Sequence, residues 1–200
     1  KIQEHGTEIS RDRFGVQMLG YNEELFLRKI EPKLEKGNDI FHLLILAGDN
    51  QWNDVLATMP LIKEAKKKHG NALKISFFGL NKNKEPFIKA VKGLEYTAHG
   101  AVPIWKYMET LYEINPDLVF VPSDLTEFST RSNDYKRFID CGLLRIPIIS
   151  ANCNPNDKII TDGENGLLYS TGEEFAEKIA KCINEKDYAQ TLGTAAREFC

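Results

Sequence analysis

The part of this sequence best suited to chemistry is a short capping stretch followed by two cations and a carboxylate. Ser132 and Asn133 are residue types that cap helix N-termini, because their side chains accept hydrogen bonds from the free amides of the first turn. Lys136 and Arg137 follow within one turn, and Asp140 comes three residues after Arg137. A helix N-terminus binds anions through its free amides and positive dipole end. The pattern therefore predicts that the amides after Ser132, together with Arg137, bind a diphosphate.

A carboxylate two turns into such a helix lies too far from the N-terminus to act as a cap. We expect Asp140 instead to accept hydrogen bonds from the two hydroxyls of a ribose. The same residues also fit an ordinary surface helix, in which Arg137 and Asp140 pair with each other for about 0.3–0.5 kcal/mol and bind nothing. The segment by itself leaves both interpretations open.

The elements that position these residues are short apolar runs alternating with amphipathic segments. The expected strands are 41–47, 73–78, 94–98, 118–121 and 146–150, and the expected helices are 53–69, 85–92, 104–114, 133–144, one through 175–183, and 188–199. The strand runs are continuously apolar, as in strands covered on both faces. This alternation predicts an α/β domain with a doubly wound, Rossmann-like parallel sheet. Pro60 is expected to divide or kink the first helix, and Trp105 to lie in the core.

Ligands of such sheets bind beyond the carboxyl ends of the strands. Three loops at that edge carry predicted ligand-binding positions: Gly48, Asp49 and Asn50 after the first strand, Gly79 after the second, and Ser123 after the fourth. A glycine directly after a strand lets a ligand approach the backbone closely. A tight turn between strand and helix requires the same residue, so these glycines fit either interpretation.

The stretch 157–169 is expected to form a hairpin-like pair of short β runs beside the sheet, around a turn from Gly163 to Gly166. Residues 1–38 are polar and are predicted to be a linker or N-terminal extension, with a helix-like segment at 23–34. Residues 39–200 are predicted to be the Rossmann-like domain. Because there is no initiator Met and the chain stops within a helical pattern, we expect a fragment truncated at both ends.

Composition excludes several classes of function. The net charge of −3 over 200 residues argues against broad nucleic-acid binding, which needs a basic surface. No stretch approaches the ~18–20 apolar residues that span a bilayer. The four cysteines and four histidines are scattered, without a C-x-x-C pair or metal-ligand spacing. Neither a disulfide framework nor a metal site is expected, and a reducing, cytoplasmic setting is favoured.

In order and spacing, these features resemble the C-terminal, donor-binding half of a GT-B glycosyltransferase of the large retaining type, as in the group 1 glycosyl transferases. The resemblance rests on the stretch 132–140, then IPIIS at 146–150, ITDGENGLL at 160–168 and EEF at 173–175. GYNEELF at 20–26 is similar to the linker that enters such domains. The similarity covers the chain from about residue 16 to the end.

The resemblance implies a hexosyltransferase-like enzyme that moves a sugar from a nucleoside-diphosphate sugar to a glycan, lipid or small-molecule acceptor, as in polysaccharide biosynthesis. This chain, with a nucleotide-sugar-binding domain at 39–200, would be the donor-binding half and inactive alone. An acceptor-binding N-terminal domain, absent here, would complete the enzyme and mediate any peripheral association with the inner face of the membrane. No cofactor, metal or nucleic-acid partner is implied.

The resemblance also assigns roles to individual residues. The family's paired glutamates, eight residues apart, would fall on Ser132 and Asp140, so the first is lost and the second shortened by one methylene. Glu127, in the same loop, would substitute for the first as a catalytic residue. Arg137 would stabilise the charge that develops on the leaving diphosphate. Arg145 stands where the family's Gly-x-Pro has its glycine.

By the same resemblance, the loop 48–50 would face the donor phosphates or the acceptor, and the loop 99–103 would lie beside the nucleobase. Two other functions stay open. One is a sugar-nucleotide epimerase or isomerase of similar fold. The other is a non-catalytic module that keeps the fold and binds a partner, as the lost glutamate suggests.

Overall fold

The computed structural model describes residues 2–4, 7–9, 40–123 and 135–200. The strands are β1 (Ile2–Glu4), β2 (Thr7–Ile9), β3 (Phe41–Leu46), β4 (Leu73–Phe78), β5 (Thr97–Ala98), β6 (Leu118–Val121), β7 (Ile148–Ala151) and β8 (Leu167–Tyr169). The helices are α1 (Trp52–His69), α2 (Glu85–Ala90), α3 (Ile104–Ile114), α4 (Lys136–Leu143), α5 (Asn156–Ile159), α6 (Gly172–Asn184) and α7 (Lys186–Phe199). The helix-like segment expected at 23–34 lies outside the described residues.

Six strands form one parallel sheet in the order β5-β4-β3-β6-β7-β8. Helices cover both of its faces. On one face, Val55 of α1 and Phe175 of α6 are buried in a common core with the sheet. On the other, Met108 of α3 and Phe138 of α4 are buried in a second core. The predicted doubly wound, Rossmann-like parallel sheet is confirmed.

The helix α6 shows how local sequence sets an element boundary. The Thr171 hydroxyl accepts a hydrogen bond from the Glu174 N–H at 3.2 Å, and the Glu174 carboxylate accepts one from the Ser170 N–H at 2.7 Å. The first bond caps a free N–H of the first turn, and the second satisfies the N–H of the residue before the N-cap. Four residues apart on the buried face, Phe175 and Ile179 then attach the helix to the sheet.

The hairpin expected at 157–169 is wrong. Its first three residues belong to α5 (Asn156–Ile159), and its last three, Leu167–Tyr169, join β7 as the parallel edge strand β8. The predicted turn from Gly163 to Gly166 is present: the Gly163 N–H donates to the Gly166 carbonyl at 2.9 Å, and Asp162 and Gly166 form an isolated bridge. The side chain of Asn165 accepts a hydrogen bond from the Thr161 N–H and donates one to the Ile159 carbonyl, so the first run ends in a loop rather than a strand.

Three smaller differences between the expected and the observed structure concern Pro60, Trp105 and the run 94–98. The helix α1 continues through Pro60 without division. Trp105 is 79% exposed rather than in the core, because it lies in the first turn of α3, before the buried positions Met108 and Leu111. Of the run expected at 94–98, only Thr97–Ala98 pairs with β4, since a turn at Gly93 (φ 78°) precedes it.

Two further observations concern single segments. Arg145, where the family resemblance places a glycine, adopts a positive φ of 57° in the turn between α4 and β7. The strands β1 and β2 pair antiparallel, within the stretch predicted to be a linker. Among the described residues, no helix is long and apolar enough to cross a membrane.

Candidate functional site

The candidate site is the crevice at the carboxyl edge of the sheet between β3 and β6. From β3 the chain adds β4 and β5 on one side, then crosses to add β6, β7 and β8 on the other. Connections therefore leave β3 and β6 in opposite directions, and ligands of doubly wound sheets bind at such a switch point. By this rule the loop after β3 and the chain that leads from β6 into α4 are the two sides of the candidate crevice.

On the β3 side, the backbone groups of the turn are satisfied within the turn. The Gly48 N–H donates to the Gln51 side-chain oxygen at 3.0 Å, and the Gln51 N–H donates to the Gly48 carbonyl at 2.9 Å. A Cβ atom on Gly48 would lie 2.9 Å from the side-chain oxygen of Asn50. This is the geometry of a tight turn from strand to helix.

Asp49 ties the loop after β3 to the loop after β4. Its carboxylate accepts a hydrogen bond from the Asn81 N–H at 2.9 Å and lies 3.2 Å from the Lys84 ammonium. The Asn81 hydrogen bond, with a smaller contribution from Lys84, lowers the pKa of Asp49 below its ordinary value. At neutral pH Asp49 therefore carries a negative charge, which the Asn81 N–H holds in place and the Lys84 ammonium matches.

Gly79 allows the same two loops to approach each other. Its φ is 96°, and a Cβ atom there would lie 2.5 Å from the Ala47 carbonyl oxygen. Its N–H donates to the Gly100 carbonyl at 2.9 Å. The close approach is between two backbone segments of the protein, so loop packing alone accounts for this glycine.

On the other side of the crevice, Tyr107 of α3 contacts the first turn of α4. The Arg137 guanidinium donates a hydrogen bond from Nη1 to the Tyr107 hydroxyl at 3.1 Å. The Tyr107 ring stacks on Phe78, the last residue of β4, with centroids 5.6 Å apart. Burial raises the pKa of Tyr107 well above its ordinary value. The hydroxyl is thus protonated at neutral pH and accepts from Arg137 with a lone pair.

Asp140 is completely buried on the inner side of α4, and its charge is met by Lys136. The ammonium of Lys136 donates to both carboxylate oxygens, at 2.9 and 3.1 Å. The exposed-helix interpretation paired Asp140 with Arg137, whereas the cation that bonds it here is Lys136, four residues earlier. Because Asp140 is completely buried, a ligand hydroxyl does not reach this carboxylate in the present arrangement.

The predicted site residues thus separate into two groups. Gly48, Asp49, Asn50 and Gly79 belong to the loops after β3 and β4, and Arg137 and Asp140 to α4. Ser123 is buried just beyond β6. Glu127, Ser132 and Asn133 lie outside the described residues. Within the described ranges, no group of three or more His, Cys, Asp or Glu side chains could hold a metal ion.

Sequence reasoning missed Tyr107, Asn81 and Lys84. The Tyr107–Arg137 contact joins residues 30 apart, and the Asn81–Asp49 contact joins residues 32 apart. Neither pair has a local signature, because each contact depends on how the helices cross the sheet. The end of the apolar run at Phe78, followed by Gly79, is the signal that marked the loop of Asn81 as part of the carboxyl edge.

Solved structures similar to this one are glycosyltransferases. A glycosyltransferase from Rickettsia africae superposes with a TM-score of 0.66 at 18% identity, covering 96% of this chain and 53% of that one. Anabaena Alr3699/HepE, crystallised with UDP-glucose, gives 0.63 at 13% identity, covering 90% and 50%. The C-terminal domain of LpcC, a group 1 glycosyl transferase from Francisella tularensis, gives 0.61 at 13% identity, covering 90% and 96%.

The fold and these similarities define the class: a Rossmann-like α/β domain of the kind that forms one half of a GT-B glycosyltransferase. The chain spans between about a third and about half of the longer glycosyltransferases that it matches. The family model described as Glycosyl transferases group 1 matches residues 26–199, and the chain belongs to that family. No curated protein matches it.

Proposed function

We propose that this chain is the donor-binding half of a hexosyltransferase that uses a nucleoside-diphosphate sugar. The observation that carries the proposal is the pair of cations in the first turn of α4, Lys136 and Arg137, at the switch point of the sheet. A positive helix start beside two cations attracts the diphosphate of such a donor. Membership of the family and the UDP-glucose bound to the Anabaena protein support the same assignment.

The proposed chemistry is displacement of the nucleoside diphosphate from the anomeric carbon of the sugar. Arg137 and the free amides at the start of α4, which begins at Lys136 with Tyr135 as its N-cap, stabilise the charge that develops on the leaving diphosphate. Glu127 supplies the catalytic carboxylate, and Asp140 accepts the ribose hydroxyls once Lys136 turns to the phosphates. The acceptor, a glycan, lipid or small molecule, binds to an N-terminal half outside this sequence, through which the enzyme contacts the cytoplasmic face of the membrane.

Titration of the chain with UDP and GDP tests the proposal, with Arg137→Ala as the variant. Loss of a hydrogen bond to a charged group costs about 1.5–3 kcal/mol, so the affinity of Arg137→Ala for its preferred nucleotide should fall about 10- to 150-fold. Lys158→Ala is the control, because Lys158 pairs with Asp157 on α5 and is not part of α4. Unchanged affinity in Arg137→Ala would contradict the assignment.

A second candidate function, a non-catalytic module that binds a partner, is favoured by the pairing of Asp49 with Lys84. The carboxylate is held in the loop after β3 and its charge is matched by Lys84 at 3.2 Å, so this side of the edge offers a diphosphate no net positive charge. The same titration separates the two functions. Absence of binding for both UDP and GDP at millimolar concentration supports the module, whereas saturable binding of either one supports the transferase.

A further inference from the structure

Tyr107 is the residue at which the two helices beside the crevice meet. Its hydroxyl accepts the hydrogen bond from Arg137, and its ring centroid lies 5.7 Å from the Arg137 guanidinium carbon and 5.8 Å from the Lys136 ammonium. Both cations therefore lie within the distance at which they are attracted to an aromatic ring. The Tyr107 ring is itself held in place because it stacks on Phe78 at the end of β4.

This arrangement addresses an electrostatic problem of the first turn of α4. Lys136 and Arg137 are adjacent cations at the positive end of a helix dipole, so each disfavours the other. Asp140 meets the charge of Lys136, at 2.9 Å. The Tyr107 hydroxyl is the acceptor that meets Arg137, at 3.1 Å. Without that acceptor, the long Arg137 side chain loses the contact that selects one of its rotamers.

We propose that Tyr107 is a positioning residue for diphosphate binding, because it fixes the Arg137 guanidinium at the start of α4. This inference rests on the proposed function. A guanidinium carries five N–H donors, and the bond to Tyr107 uses one of them. The other four can donate to an anion. Fixing the side chain before the ligand arrives removes part of the entropy cost of binding.

Tyr107→Phe tests the proposal because it keeps the ring that stacks on Phe78 and removes only the acceptor. The dissociation constant for UDP should rise about 3- to 10-fold, the effect of one lost hydrogen bond. The affinity for uridine, which has no phosphate, should not change. Tyr96→Phe is the matched control: the Tyr96 ring packs against Phe77 and Phe87, on the opposite face of the sheet from α4.

A double-mutant cycle distinguishes positioning from a merely structural role. If Tyr107 acts through Arg137, Tyr107→Phe should have no further effect on UDP affinity in an Arg137→Ala background. Additive losses, or equal losses for UDP and uridine, would overturn the proposal. So would an unchanged UDP affinity in Tyr107→Phe while Arg137→Ala weakens binding, a result that leaves the proposed function standing.

A measurement without ligand separates the positioning role of Tyr107 from the proposed nucleotide-binding function. In ¹⁵N NMR spectra of the free chain, the Arg137 guanidinium should show restricted rotation, and Tyr107→Phe should release it. Equal rotation in both proteins would overturn the positioning role whatever the nucleotide titration shows. Restricted rotation in a wild-type chain that binds no nucleotide would overturn the proposed function, and with it the role in diphosphate binding, while leaving the Tyr107–Arg137 coupling established.

Discussion

The two sides of the crevice hold a carboxylate in opposite ways. On the β3 side, Asp49 is 43% exposed and is held by a backbone N–H and a lysine from the neighbouring loop. On the α4 side, Asp140 is completely buried and is bonded by a lysine from its own helix. A charge that stays in water contributes little to stability, whereas a buried charge depends strongly on its partner.

The two sides also differ in what shapes them: backbone packing on the β3 side and contacts between charged and aromatic side chains on the α4 side. The β3 side depends on the close approach of two loops at Gly79, and its net contribution to the crevice is one carboxylate with its lysine. The α4 side depends on side-chain contacts among Tyr107, Arg137, Lys136 and Asp140. We therefore expect mutations on the first side to act on folding, and mutations on the second to act on folding and on anion binding.

The largest effect is expected on the β3 side, for Gly79→Ala. The new Cβ would meet the Ala47 carbonyl oxygen at 2.5 Å, and a φ of 96° is strained for alanine. Strain and overpacking together should lower the free energy of unfolding by about 3–5 kcal/mol. Urea denaturation followed by circular dichroism measures the loss.

Gly93→Ala is the matched control for Gly79→Ala. Gly93 has a φ of 78°, but a Cβ there would meet nothing within 4 Å. It should therefore lose only the strain contribution, about 1–2 kcal/mol. Equal losses for the two variants would show that the loops after β3 and β4 separate readily, and that their contact does not shape the crevice.

A smaller effect is expected on the α4 side, for Lys136→Met. The variant keeps the length of the side chain but removes the cation that bonds the buried Asp140. Removing one partner of a fully buried pair costs about 3–5 kcal/mol. Because Lys136 itself is 42% exposed, we expect about 2 kcal/mol, measured by urea denaturation.

Lys89→Met provides the comparison for Lys136→Met. Lys89 also pairs with a carboxylate one turn away on its own helix, that of Glu85. Both side chains are about three-quarters exposed. That variant should lose no more than about 0.5 kcal/mol. If Lys136→Met is equally mild, the burial of Asp140 is not compensated by Lys136, and the contrast between the two sides of the crevice disappears.

The elements predicted best from the sequence are those whose bounds are set by the local residue pattern alone. The strands Leu73–Phe78 and Leu118–Val121 and the helix Ile104–Ile114 match their expected bounds residue by residue, because each is an uninterrupted apolar or amphipathic run between polar turns. The stretch 157–169 was mispredicted, because a short apolar run forms a strand only if a partner strand is available. Here that partner is β7, and the Asn165 bonds to Thr161 and Ile159 fix the loop.

The candidate site was predictable in position but not in detail. Topology alone places the loops after β3 and β6 at the switch point, and the residues proposed there follow from that rule. The sequence could not show that Lys136, rather than Arg137, bonds Asp140, since both spacings occur on helices. Nor could it show the role of Tyr107, which depends on where α3 crosses the sheet to meet Phe78.

The smallest effect is expected from Asp49→Asn, and it should depend on pH. A carboxyl group whose pKa is lowered by folding stabilises the protein above its unfolded pKa, here about 3.8, and loses that contribution as pH falls through the folded value. The asparagine can still accept the Asn81 hydrogen bond but carries no charge. Because Asp49 is 43% exposed, the difference in free energy of unfolding at pH 7 should be no more than about 0.5 kcal/mol.

Urea denaturation of the wild type and Asp49→Asn at pH 7, 5 and 3, each at low and high salt, measures this difference. It should stay constant from pH 7 to 5 and shrink by pH 3. High salt should reduce the part that comes from the Lys84 ammonium. Asp157→Asn, at an aspartate that pairs with the adjacent Lys158, is the control. If the charge of Asp49 instead destabilises the loops, Asp49→Asn should be more stable than the wild type at pH 7, and that gap should close as pH falls below 4. Asp49 would then be kept for a ligand rather than for the fold.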